Sequence, residues 1–171
     1  MLLGLATTAA NGVQAAVAAD DNECNATQLA HKYCIVGAGP AGVQLGEFLR
    51  AGKRDYIIVE RAPHAGSFFA KLPVHRNLIS INKRHTRAAE GSDQSDFALR
   101  HDWNSLLGGE GVPMFQTRTA EYWPHADTLT DYIQDFAARQ VEAKKILFRH
   151  EVTRVSQAPA DQLSRYVLDA P

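Results

Sequence analysis

The chain has 171 residues, 45% of them hydrophobic and 22% charged, and a formal net charge of −1. That length suits one domain with a real core, and the near-neutral balance gives no global field to recruit nucleic acid or an anionic membrane. The two cysteines, Cys24 and Cys34, form no Cys-x-x-Cys pair, so no dithiol relay is encoded in these residues, and both thiols are expected free.

Residues 1–19 are small and apolar and end in Ala16-Val17-Ala18, which fits a signal-peptidase site. Asn11, Gly12 and Gln14 break the run, which is too short to span a bilayer. It reads as a signal peptide without the usual basic start; an incomplete start or an unstructured tail is the alternative. An N-terminal segment follows over residues 20–31 and carries the glycosylation sequon Asn25-Ala26-Thr27, which agrees with a glycoprotein of the secretory pathway. A single domain is expected over 32–171.

Residues 33–60 carry the strongest signal: YCIVGAGPAGVQLGEFLRAGKRDYIIVE. A strand over 33–36 leads into Gly37-Ala38-Gly39-Pro40-Ala41-Gly42, a helix follows, and a second strand ends at Glu60. This is a dinucleotide-binding fingerprint in its required strand–turn–helix context. Gly37 allows the tight turn, Gly39 lets a pyrophosphate approach the backbone, and Gly42 lets the helix lie close to the sheet. The first helical turn offers free N–H groups and a positive dipole end. Glu60 stands 18 residues after Gly42, near the spacing of an acid that accepts hydrogen bonds from ribose hydroxyls. Its charge repels a 2′-phosphate and favours FAD or NAD over NADP. Pro40, Ala41 and Arg61 belong to the same expected cofactor-binding set. In the helix, Ala41, Leu45, Phe48 and Leu49 form the stripe expected to face the sheet. Gly46 implies a second close approach, and Gly52 a helix stop.

Residues 71–126 show little periodicity. Leu78-Ile79-Ser80-Ile81 reads as a short strand. His75, His85, His101 and His125 lack the spacing of a metal site, so no metal is expected. Trp103 and Trp123 read as packing anchors. Asn82 and His101-Asp102-Trp103 are candidates to approach a ligand ring, with a surface loop as the equal alternative. The basic run Lys83-Arg84-His85-Thr86-Arg87 reads as a solvated loop. A second helix is expected over 127–140, capped by Asp127, with Leu129, Tyr132, Ile133, Phe136 and Ala137 on one face. A strand over 146–152 continues to Val155, and another begins at Arg165.

Together, CIVGAGPAGVQLGEFL, DYIIVERAPHAGSFF, RNLISINKRHT, LRHDWNSLL and YWPHADTLTDYIQDFA resemble the flavin-containing monooxygenase-like superfamily of FAD/NAD(P)H oxidoreductases. The resemblance covers about residues 33–155. It implies an α/β, Rossmann-like FAD/NAD(P)-binding domain with a parallel sheet, incomplete at its C-terminus. It implies that Gly37, Gly39, Gly42 and Glu60 hold the ADP half of FAD. Residues 60–69 resemble the E-x-x-x-x-x-G-G-x-[WF] run of two-dinucleotide flavoproteins, with Ser67 replacing the second glycine. Gly66, Ser67 and Phe68 would then contact the cofactor, and Phe68 and Phe69 would pack on the flavin side. Asn82 matches an asparagine near the isoalloxazine, and the backbone around Val152 matches the adenine contact. Family members carry a second glycine-rich motif for NADPH, absent here, so the chain looks like the N-terminal part of a larger NADPH-using enzyme and is expected to be inactive alone. No catalytic acid or base is assigned. Lumenal relatives imply the endoplasmic reticulum lumen and partners from ER quality control or degradation. The alternatives are a pyridine nucleotide–disulfide reductase, a single-cofactor NAD dehydrogenase and a non-catalytic nucleotide-binding scaffold.

Overall fold

A computed structural model describes residues 12–17, 28–83, 104–108, 114–160 and 164–170. Cys24, the sequon, His85 and His101-Asp102-Trp103 lie outside the described residues, as does the basic run beyond Lys83.

Two sheets form. In the first, β3 (Tyr33–Val36), β4 (Tyr56–Glu60) and β5 (Ile146–Phe148) run parallel in the order β3-β4-β5, with Ile35 opposite Ile58 and Ile58 opposite Ile146. β4 is central and buried along its whole length, which explains its unbroken apolar run of Tyr56-Ile57-Ile58-Val59. β3 is an edge strand, with Tyr33 and Val36 exposed. The second sheet was not anticipated. It holds β1 (Gly12–Val17), β2 (Gln28–His31), β6 (Arg154–Gln157) and β7 (Ser164–Ala170) in the order β2-β1-β7-β6. β1 pairs parallel to β7 and antiparallel to β2, and it falls within the segment read as a signal peptide. The expected strand over 146–155 is two strands in different sheets. It breaks at Arg149, whose φ of 64° turns the chain out of the first sheet.

Helix α1 (Pro40–Ala51) packs against the parallel sheet and against helix α3 (Ala126–Glu142), and the five-residue helix α2 (Ser67–Lys71) packs on α3. The expected inner face of α1 is corrected. Leu45 and Phe48 are 48% and 52% exposed, while Val43, Gly46 and Glu47 are buried. Close approach decides this orientation. A Cβ on Gly46 would meet Gln140 Oε1 at 2.1 Å and Ile58 Cδ1 at 2.9 Å, so the glycine face is the one that can touch its neighbours. Gln140, fully buried, donates from Nε2 to the Val43 carbonyl at 2.9 Å and accepts from the Tyr56 hydroxyl at 3.3 Å. Glu47 is buried in partnership: both its oxygens take Arg50 hydrogen bonds at 2.8 Å, and Arg139 lies 3.7 Å away. Burial, together with the Glu47 carboxylate, pushes the Tyr56 phenol pKa up.

The α3 face is the one expected: Leu129, Tyr132, Ile133, Phe136 and Ala137 are all buried. Its cap differs. His125 is the N-cap and its Nδ1 accepts from the Asp127 N–H at 3.3 Å; Asp127 sits in the first turn and pairs with Arg76. The short strand expected at 78–81 does not form. One antiparallel bridge joins Asn77 to His125, and Leu78 N–H donates to the Pro124 carbonyl at 2.8 Å. Pro124 has no N–H to return, so the ladder cannot extend. Trp123, expected to anchor this excursion, is 52% exposed.

Candidate functional site

The turn from β3 into α1 is built by backbone hydrogen bonds. Gly37, at φ 96°, donates to the Val59 carbonyl at 2.7 Å. Ala38 N–H donates to Glu60 Oε2 at 2.6 Å, and the Ala38 carbonyl accepts from Gly66 N–H at 3.0 Å. Glu60 Oε1 accepts from Ala62 N–H at 2.8 Å, with the Ser67 hydroxyl at 3.5 Å. Glu60 is therefore buried yet held by charge-assisted bonds, and it ties the glycine turn to the end of β4. Oε2, with a single donor, keeps a further lone pair for a ribose hydroxyl.

The glycines differ in what requires them. At Gly42 a Cβ would lie 2.0 Å from the Gly37 carbonyl oxygen, so the turn itself forbids a side chain. At Gly66 a Cβ would press on Ile133 at 3.2 Å, and the φ of 72° is itself strained for other residues. Gly39 is different. Its φ of −75° and ψ of −178° suit any residue, and a Cβ there meets nothing within 4 Å. The protein leaves the space above Gly39 open, and that space lies at the start of α1. No side chain caps this helix and no acid stands in its first turn, so its positive end is free for an anion.

These groups surround a cavity of about 340 Å³ lined by Gly37, Gly39, Glu60, Arg61, Ser67, Phe68 and Val152, all expected from the sequence. His150 and Glu151, which sequence reading missed, also line it, together with the strand ends Val36 and Val59. Their signal was their place beside Val152. Backbone bonds from Arg149 to Ala62 at 3.1 Å and from His150 to Glu60 at 3.0 Å bring that stretch against the end of β4.

A larger chamber of about 630 Å³ opens beside this cradle, and Phe68 lines both. Pro40, next to Gly39, belongs to the chamber wall with Phe69, Leu72, Leu78, Leu106, Leu129 and Ile133. Ser80 and Asn104 are the two polar residues among its described lining. A third cavity, of about 830 Å³, adjoins the cradle at Arg61, Ser67 and Phe68 and carries Lys71 and Arg149. Of the other expected site residues, Ala41 is exposed on α1, and Gly42 and Gly66 serve packing. Asn82 is buried and lines none of these three cavities; its Nδ2 donates to the Thr119 carbonyl at 2.9 Å, while Oδ1 has no partner among the described residues. Cys34 is half-buried in β3, and burial raises its thiol pKa to about 11, so it stays protonated and unreactive at neutral pH.

The residues present fit an adenine dinucleotide: an open glycine, a free helix N-terminus and a buried acid converge on one cleft. The sequence profile described as pyridine nucleotide-disulphide oxidoreductase matches residues 34–163. A curated relative, "FAD-dependent oxidoreductase domain-containing protein 2" of Mus musculus, is 44% identical over 124 residues, covering 72% of this chain and 18% of the relative. The chain thus spans about a fifth of that relative's length. Among solved structures, a bacillithiol disulfide reductase from Staphylococcus aureus superposes with a TM-score of 0.52 at 14% identity, over 80% of this chain and 35% of that one. OTEMO, solved in complex with FAD and NADP, gives a TM-score of 0.51 at 14% identity, over 75% and 21% of the two chains. With the profile covering most of its length, the chain belongs to the pyridine nucleotide-disulphide oxidoreductase family of flavin-dependent oxidoreductases.

Proposed function

We propose that these residues are the FAD-binding part of a flavin-dependent oxidoreductase that uses NADPH in its whole form. The open space above Gly39, which the fold alone does not require, carries the reading. The ADP half fits the cradle: ribose hydroxyls at Glu60, diphosphate at the start of α1 over Gly39, adenine beside Arg61 and the backbone of Val152. The ring end fits the apolar chamber reached past Pro40 and Phe68. FAD supplies hydride and electron transfer when bound. This chain's own groups bind and orient it, and the apolar wall keeps water from the ring.

Titration of the 171-residue chain with ADP and with FAD tests the cradle. Saturable binding of both is expected. Glu60→Gln turns one acceptor oxygen into a donor facing a backbone N–H, and it should weaken ADP by about tenfold. A chain that binds neither ligand, or a Glu60→Gln variant that is folded and binds ADP as well as the parent, overturns the reading.

The secretory address is part of the same proposal: the ER lumen or secretory pathway, with residues 1–19 as leader and partners drawn from ER quality control or degradation. The first residue of protein recovered from cells decides it. A start at Ala19 or Asp20 supports the leader, and a start at Met1 with β1 retained overturns it.

A further inference from the structure

We propose that the third cavity, between the loop after β4 and the stretch after β5, is a second ligand site. It takes a phosphate monoester with an aromatic body: Arg61, Lys71 and Arg149 hold the phosphate, and the body lies on Phe68. The site is separate from the dinucleotide cradle and does not depend on the FAD reading.

At about 830 Å³ the cavity has room for a small organic molecule. Arg61, Lys71 and Arg149 line it against a single acid, Glu151, among the described residues. The chain as a whole is close to neutral, so this positive excess is local. Arg61 lies 3.5 Å from Glu151, but their side chains are 76% and 60% exposed, so the pair is weak and yields to a better acceptor. Among the described residues, neither Lys71 nor Arg149 has a side-chain partner. A phosphate monoester is close to a dianion at neutral pH and matches that excess. Guanidinium forks fit its oxygens in pairs, and the ammonium adds a point charge.

Two further features fit this ligand. Arg149 holds a φ of 64°, and its N–H bond to the Ala62 carbonyl at 3.1 Å pins that conformation. Glycine would make the same turn without strain, so the guanidinium in the cavity wall is what arginine adds there. Phe68 is 59% exposed, and its ring is braced edge-to-face on Phe69 with centroids 5.2 Å apart. Leu72 and Pro63 extend the apolar floor beside it. An aromatic body covers this surface and gains both area and ring contact. The cavity shares Arg61, Ser67, Phe68 and Glu151 with the cradle, whereas Lys71 and Arg149 line only the cavity. The chemistry differs too: the cradle offers backbone N–H groups to a diphosphate, and the cavity offers side-chain cations.

The test uses the full 171-residue chain at neutral pH and constant ionic strength, with phenyl phosphate, inorganic phosphate and ADP as probes. Phenyl phosphate should bind saturably, at least about threefold more tightly than inorganic phosphate, and should still bind when ADP is saturating. Lys71→Gln should weaken phenyl phosphate by about fivefold or more and leave ADP unchanged. Arg149→Gly should weaken it comparably while melting no lower than the parent, because glycine relieves the positive φ. The proposal is overturned if phenyl phosphate binds no better than inorganic phosphate, or if ADP displaces it. It also fails if both variants keep the parent's affinity for phenyl phosphate. The two variants decide the matter even where ADP does not bind; that failure would sink the cradle reading alone.

Discussion

The cradle and the chamber share Phe68 and meet at the Gly39–Pro40 step, yet they are built from different material. The cradle is backbone: the N–H groups of Ala38 and Ala62, a positive helix end, and glycines at the turn, all fastened by one carboxylate. The chamber is side chain, drawn from α2, the 72–80 excursion, the 104–106 segment and α3. A backbone-built site tolerates few residue types, because a single methyl group or an unpaired N–H breaks it. A side-chain-built wall tolerates any swap that conserves volume and keeps polar groups paired.

That contrast can be broken by substitution. The largest effect is expected for Gly42→Ala, where the new Cβ would lie 2.0 Å from a backbone oxygen that cannot step aside. It should cost about 3 kcal/mol of stability, read by denaturant unfolding, and abolish ADP binding in the fraction that folds. An unchanged unfolding midpoint would show that the turn has slack.

Gly39→Ala sharpens the comparison because it separates ligand from fold. Stability should change by no more than about 1 kcal/mol, since the site is open and the backbone ordinary. Affinity for ADP and FAD should nevertheless fall by more than about tenfold, as the methyl group occupies the diphosphate's path. Equal binding by this variant and the parent would mean that the diphosphate passes elsewhere.

The smallest effect concerns Cys34, a thiol beneath the cradle in β3. Its pKa is raised from 9.0 to about 11 by burial, so the folded state disfavours the thiolate. The thiol's contribution to stability is present in full below pH 9 and is lost as pH rises through about 11. Alkylation of the native chain at neutral pH should be slower than that of the unfolded chain. Equal rates would show that β3 opens readily at its edge.

The same contrast explains what could be read in advance. Local rules place a glycine turn after a strand, a helix after the turn and an acid at the next strand's end, so the cradle was legible almost residue by residue. The α3 face was legible too, because Leu129, Tyr132, Ile133, Phe136 and Ala137 follow the helical period without interruption. In α1 the period misled. Its largest apolar residues face outward, because two glycines and Gln140 favour the closest approach on the other side. Asn104 lay unread in a polar stretch 24 residues from its partner Ser80, and no local pattern links the two. The break after β5 was hidden as well, since Arg149 is not a residue type that announces a positive φ.

The sequence by itself determined the dinucleotide turn, the parallel β3-β4 pair and the acid that closes the cradle, because glycine sterics, strand burial and charge act within a few residues. Only the tertiary structure decided which face of α1 is buried, that 146–155 divides between two sheets, and that Ser80 meets Asn104 in an apolar wall. Those outcomes depend on which distant surfaces can approach most closely, and close packing is a property of the assembled chain.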